Sequence, residues 1–143
     1  TNIEGYKRLR GALDMPIATG EREWTVSAYR NLIASNIADI IMVDPGRAEG
    51  VTGFQKVIEL TAQHNLFINA HTWSSAINTA ASIHLTASTP NYIVFEVKPL
   101  PNPMQHELVK NPIIQKDGWI EIPEGPGLGV DVDEAVVRKY VFE

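Results

Sequence analysis

An α/β fold of consecutive β/α units is predicted by three features of the sequence. Short apolar runs recur along the chain: Ala18-Thr19-Gly20-Glu21, Ile41-Met42-Val43-Asp44, Ile68-Asn69-Ala70-His71 and Val94-Phe95-Glu96. Each ends on an ionisable residue, and those residues lie 23, 27 and 25 positions apart. The stretches between them carry apolar residues at helical spacing. Strands alternating with helices argue for a parallel sheet, with the C-terminal ends of the strands gathered on one side.

Taken in order, residues 2–13 predict a helix, with Ile3, Tyr6, Leu9 and Leu13 on one stripe. Residues 15–19 predict a short strand, with Pro16 confined to its start. Residues 25–34 predict a second helix, Thr25 as its N-cap and Tyr29, Leu32 and Ile33 inward. The continuous apolar run 37–43 suits a parallel strand buried on both faces. Asp44-Pro45-Gly46 closes it as a turn. A third helix is expected over 50–64, with Phe54, Val57, Ile58 and Leu60 inward and Asn65 closing it. Residues 66–70 predict the third strand, ending at His71. Ser74 or Ser75 starts an Ala- and Ser-rich helix to about Ser88, small enough to pack closely on a sheet. Residues 92–95 predict a fourth strand, ending at Glu96.

After Glu96 the rhythm stops, and the chain divides into a β/α part (1–98) and a tail (99–143). Pro99, Pro101 and Pro103 predict an extended segment. Residues 113–122 read as a hairpin about Asp117-Gly118. Residues 123–129 form a Gly/Pro loop, and Asp133 caps a final helix to about Tyr140.

Composition narrows the function classes. A net charge of −5 with no basic cluster argues against nucleic-acid binding. The absence of cysteine removes thiolate metal sites and a Cys nucleophile, and is compatible with a cytoplasmic location. No apolar run approaches the ~20 residues needed to span a membrane, so no membrane partner is expected. A G-x-S-x-G elbow is absent, and the Gly-rich 123–129 lacks the lysine of a phosphate loop.

The four strand-end residues carry the chemistry. Adjacent strands lie roughly 5 Å apart. Asp44 and His71 are therefore expected within hydrogen-bonding reach. An aspartate that accepts one ring N–H fixes the histidine tautomer and prepares a general base or acid. Glu21 offers oxygen to a hard cation such as Mg²⁺. Glu96 would hold a substrate oxygen, most usefully as the protonated acid. Trp73 is expected to offer a stacking face to substrate or to pack as wall. Arg47 is expected either to reach substrate or to form a helix-capping salt bridge. His64, His84 and His106 show no partner spacing and read as structural or exposed.

The stretches PIATGE, DIIMVDPGRAEGVTGFQKVIELTAQHN, INAHTW and FE, with the tail IPEGPGLGVDVDE, resemble the C-terminal half of mandelate racemase/muconate lactonizing enzymes, in the enolase superfamily. The resemblance covers almost the whole chain. It implies the C-terminal part of a TIM-like (β/α)7β barrel, strands five to eight, with a tail that packs toward a capping domain. By that match Glu21 resembles a Mg²⁺ ligand, Asp44 and His71 a His–Asp dyad, and Glu96 the acid beside the substrate carboxylate. Glu49 stands where relatives often carry glycine.

The implied chemistry is removal of a proton next to a carboxylate, giving an enediolate that Mg²⁺ stabilises. Loss of a β-hydroxyl then gives dehydration, and the dyad with its polar mouth most resembles the sugar-acid dehydratases. The alternatives are racemisation, epimerisation or cycloisomerisation on the same fold, or a non-catalytic half-barrel. The resemblance also implies that two further Mg²⁺ carboxylates and the opposite-face base belong to strands two to four. The expectation is a fragment or one half of a split protein, inactive alone. It would pair with a second copy or with the missing N-terminal half.

Overall fold

The computed structural model describes residues 2–141. The chain runs α1 (Ile3–Ala12), β1 (Ala18–Thr19), α2 (Thr25–Ala34), β2 (Ile40–Val43), α3 (Gly50–Gln63), β3 (Phe67–Ala70), α4 (Ala76–Ala87), α5 (Pro103–His106) and α6 (Glu134–Lys139). The three strands form one parallel sheet in the order β1-β2-β3. The β/α rhythm read from the sequence is therefore present, with shorter strands.

The core lies between the sheet and its helices. Ile41 and Val43 of β2 and Ile68 and Ala70 of β3 point to one face, where they meet Tyr29, Leu32 and Ile33 of α2, Phe54 and Val57 of α3, and Leu85 of α4. The alternate residues Ile40 and Met42 are only half-buried, and Phe67 is exposed. The expectation of a strand buried on both faces is thus corrected. The helix layer covers one face, and the other is only partly covered, with Asn69 of β3 buried there.

Loop chemistry sets the helix ends. Asn65 adopts a left-handed conformation after α3. Leu66 N–H and Asn65 N–H bond back to the Thr61 and Ala62 carbonyls at 2.9 and 3.2 Å, a glycine-type helix stop made by asparagine. Thr25 is not the cap of α2 that its residue type suggested. It sits inside the helix start with φ +67°. The loop after β2 supplies the partners instead: Thr25 N–H donates to the Arg47 carbonyl at 3.0 Å and Val26 N–H to Glu49 Oε2 at 3.3 Å. A carboxylate at a helix N-terminus also suits the helix dipole. Glu49 is itself left-handed, at φ +63°.

The predicted fourth strand does not form as a strand. Residues 92–95 lie beside β3 through a single parallel bridge, Ile68 to Tyr92. The reason is Asn69. Its side-chain oxygen accepts the Ile93 and Val94 amides at 3.2 and 3.3 Å, so a side chain takes bonds that a ladder would make. Thr72 Oγ1 donates to the Glu96 carbonyl at 2.9 Å and secures the far end.

The tail packs on α4. Gln105 of α5 is buried and accepts a hydrogen bond from Thr79 at 2.8 Å. Leu108 and Val109 are buried beside it, and Asp133 N–H bonds to the Leu108 carbonyl at 2.8 Å. The hairpin at 113–122 shrinks to its turn. Lys116 and Trp119 exchange backbone bonds of 2.8 Å about left-handed Asp117 and Gly118. Its flanks are not strands, because Ile114 and Trp119 find no apolar face to cover. Asp133 caps α6 as expected, accepting from Ala135 N–H at 2.9 Å.

Asp39 ties α1 to the sheet. It accepts the Ile17 amide at 2.9 Å and Arg10 Nη2 at 2.8 Å, while Arg10 also bonds Asn36. The Ile17 amide first, then Arg10, lowers the Asp39 carboxyl from its ordinary value of 3.8. The stability it contributes is present above pH 3.8 and lost as pH falls through the lower folded value. Asp39→Ala is expected to cost about 1–2 kcal/mol at neutral pH. Urea midpoints of the two proteins check it, and an unchanged midpoint would mean that water replaces the tie.

Candidate active site

The ends of β1 and β3 and the 92–96 segment bring Glu21, His71 and Glu96 to one mouth, and the end of β2 places Asp44 behind it. Glu21 reaches it from β1 because Gly20, at φ +127°, lies against β2; a Cβ there would stand 2.8 Å from the Met42 carbonyl oxygen. Glu21, His71, Glu96, Arg47 and Trp73 line a cleft of about 580 Å³. Ligand sites for small molecules span roughly 300–1,000 Å³. Asp44 does not line it. It lies behind His71, 4% exposed.

The dyad is formed. His71 Nδ1 is 3.1 Å from Asp44 Oδ2. A carboxylate can only accept, so Nδ1 is the donor and Nε2 is left for the cleft. The other carboxylate oxygen accepts Gly46 N–H at 2.9 Å and the Asn78 side-chain amide at 3.2 Å. Tyr29 completes the shell, its hydroxyl accepting Asp44 N–H at 3.4 Å. Burial above all pushes the Tyr29 hydroxyl up to about 12, so it stays neutral. No spacing rule pointed to Tyr29 or Asn78, which reach Asp44 only through the packing of α2 and α4.

Trp73 stacks on His71, with ring centroids 6.2 Å apart and planes 11° from parallel. At 42% exposure its remaining surface faces solvent and the cleft. Among the described residues Arg47 makes no helix-capping salt bridge. Its Nη1 donates to the Glu21 backbone carbonyl at 2.6 Å, and its guanidinium lies 5.3 Å from the Trp24 ring centroid. It thereby fixes the backbone that carries Glu21. His84 is structural, its Nε2 lying 3.2 Å from the Leu128 carbonyl.

Burial raises the Glu96 carboxyl above its ordinary value of 4.5; His71 and Trp73 oppose this and Glu21 adds to it. Its Oε2 is buried with no hydrogen-bond partner among the described residues. The folded state therefore binds this proton more tightly than the unfolded chain. Its stabilising contribution is complete below pH 4.5 and is lost as pH rises through the raised folded value. Glu96→Gln, which stays neutral, is expected to be more stable than the parent above that window and no more stable below it. Urea titrations of both proteins across pH, with chelator present, decide this. A pH-independent difference would mean that Glu96 ionises normally.

Glu21 is a hard oxygen ligand in the mouth and fits as one ligand of Mg²⁺, which is often held by one or two carboxylates with water and substrate. Among the described residues, no group of three His, Cys, Asp or Glu side chains is placed to hold a metal ion. A complete site needs oxygen ligands from beyond these residues.

The enolase C-terminal domain-like family model matches residues 1–136. The chain belongs to that family. Its strands and helices are accordingly a part of a (β/α)7β barrel, as the resemblance implied. The chain is 29% identical over 143 residues to the D-gluconate dehydratase of Thermoproteus tenax, covering 99% of this chain and 29% of that protein. It is 31% identical over 142 residues to the D-xylonate dehydratase of Haloferax volcanii, covering 99% of this chain and 34% of that protein. The 3,6-anhydro-D-galactonate cycloisomerase of Zobellia galactanivorans superposes with a TM-score of 0.90 at 32% identity, over 99% of this chain and 40% of that one. The chain thus spans about a third of the length of the curated family members it matches.

Proposed function

We propose that these residues supply the His–Asp side of a Mg²⁺-dependent hydro-lyase that dehydrates a sugar acid. The observation that carries this reading is the 3.1 Å contact of His71 Nδ1 with buried Asp44, at a cleft that also holds Glu21 and Glu96. The two dehydratases above support the substrate class.

His71 Nε2 takes the proton beside the substrate carboxylate, or returns one to the departing β-hydroxyl so that water leaves. Asp44 balances the imidazolium that forms during transfer. Glu96 in its protonated form, which burial favours, would donate a hydrogen bond to the substrate carboxylate. Trp73 offers a stacking face to the polyol chain, and Arg47 holds the Glu21 backbone with N–H groups left for a substrate oxygen. Mg²⁺, with Glu21 as one ligand, would supply a positive charge that offsets the enediolate charge.

The chain alone is proposed to be inactive, because Glu21 is a single ligand and the described residues offer no set of three. A panel of sugar acids in Mg²⁺, assayed for 2-keto-3-deoxy products, tests both points. Products are expected from the protein with a full barrel and none from residues 1–143 alone. Turnover by residues 1–143 alone would overturn the second point. A second reading, cycloisomerisation or racemisation, is favoured by the likeness to the cycloisomerase. Its signature is α-deuteration in D₂O without loss of water.

A further inference from the structure

We propose that Asn78 is a positioning residue for the dyad: its side-chain amide holds the Asp44 carboxylate so that His71 keeps its proton on Nδ1 and a bare Nε2 faces the cleft. The catalytic consequence rests on the proton transfer proposed above; the positioning does not.

Asn78 stands in the first turn of α4, where its own backbone amide bonds to the capping Ser75 Oγ at 3.3 Å. That anchor fixes where its side chain begins. The side-chain amide reaches Asp44 Oδ1 at 3.2 Å, across 34 residues of sequence. Gly46 shares the same oxygen and leaves the room. A Cβ at Gly46 would stand 3.1 Å from Asp44 Oδ1 and 3.4 Å from Asn78 Oδ1.

The residue type is informative. The first turn of a helix favours an acidic side chain. Here an acidic side chain would face the Asp44 carboxylate and repel it. Asparagine has nearly the same shape and supplies a donor. With Oδ1 held by two N–H groups, Oδ2 is directed at His71 and the carboxylate cannot rotate away. Asp44 has no freedom to choose among partners, and His71 has one tautomer.

The test is nitrogen NMR of the ring nitrogens of His71 in labelled protein, at a pH where the ring is neutral. The parent is expected to carry the proton on Nδ1. Asn78→Leu, of similar size without a donor, is expected to give a mixture of both tautomers. Asn78→Asp gives the same result and serves if the leucine variant does not fold. Either folded variant retaining the parent's tautomer overturns the proposal, as does a parent protonated on Nε2. In the turnover assay of the full barrel, the variants should lose roughly ten- to a hundred-fold in kcat with KM little changed. If the parent turns over no α-proton acid, the functional reading fails while the tautomer result still decides the role of Asn78.

Discussion

His71→Asn is expected to lower turnover of the proposed reaction by at least about 10²–10⁴-fold, the range for removing a positioned acid or base. The asparagine fills similar space and still offers a donor to Asp44, but it cannot take a proton. Asp44→Asn should fall on the order of 10⁴-fold, the loss seen when the orienting carboxylate of a hydrolase triad is replaced. The two differ in cause. His71→Asn removes the proton carrier, whereas Asp44→Asn leaves it in the wrong tautomer with no charge behind it. Asp44→Asn should leave KM nearly unchanged, because Asp44 lies behind the cleft, whereas His71 lines it. Single-turnover rates of the full-barrel protein, with circular dichroism to confirm folding, measure this. A His71→Asn protein within about threefold of the parent would remove His71 from the chemistry altogether, since even modest acid–base help exceeds that factor.

Gly53→Ala should be the most damaging small substitution for stability, costing at least about 3 kcal/mol. Gly53 is buried in the first turn of α3, and an added Cβ would overlap the Ala48 carbonyl, with its carbon at 2.7 Å and Glu49 Cβ at 2.9 Å. Neither atom can give way cheaply. Ala48 is fully buried and its amide bonds to the Asp44 carbonyl at 2.9 Å, while Gly50 N–H bonds to the Pro45 carbonyl at 3.0 Å. Relief of the overlap therefore shifts the loop that carries Asp44, so dyad geometry should suffer along with stability. Gly11→Ala is the control. Gly11 lies in α1 with nothing within 4 Å of an added Cβ. There the same change should be neutral or stabilise by about 0.5–1 kcal/mol, the ordinary helix preference for alanine over glycine. Urea unfolding of the three proteins compares the signs directly. Equal stability of Gly53→Ala and the parent would show that α3 can move away from its loop.

Much of the site was legible because strand ends in a parallel sheet share a side. The positions of Glu21, Asp44, His71 and Glu96 in the rhythm were enough to bring them together on paper. The shell around Asp44 was not legible. Tyr29, Gly46 and Asn78 come from three different segments, and only helix packing brings Tyr29 to the Asp44 backbone amide and Asn78 to its carboxylate. The roles of Asn69 and Glu49 were equally hidden. A buried asparagine that takes the amides of Ile93 and Val94, and a glutamate that caps a helix 23 residues before it, have no local signature.

The sequence by itself determined the β/α succession, the core-facing residues Tyr29, Leu32 and Ile33 of α2 and Phe54 and Val57 of α3, and the ionisable residue after each strand. These follow from period and local chemistry, which act over a few residues. The stripe read for α1, by contrast, is largely exposed, with no buried residue in that helix. Tertiary structure alone decided how far each strand pairs, which partner caps each helix and how Asp44 is held. Those outcomes depend on hydrogen-bonding groups distant in the chain, and a buried polar group takes whichever partner the packing brings within reach.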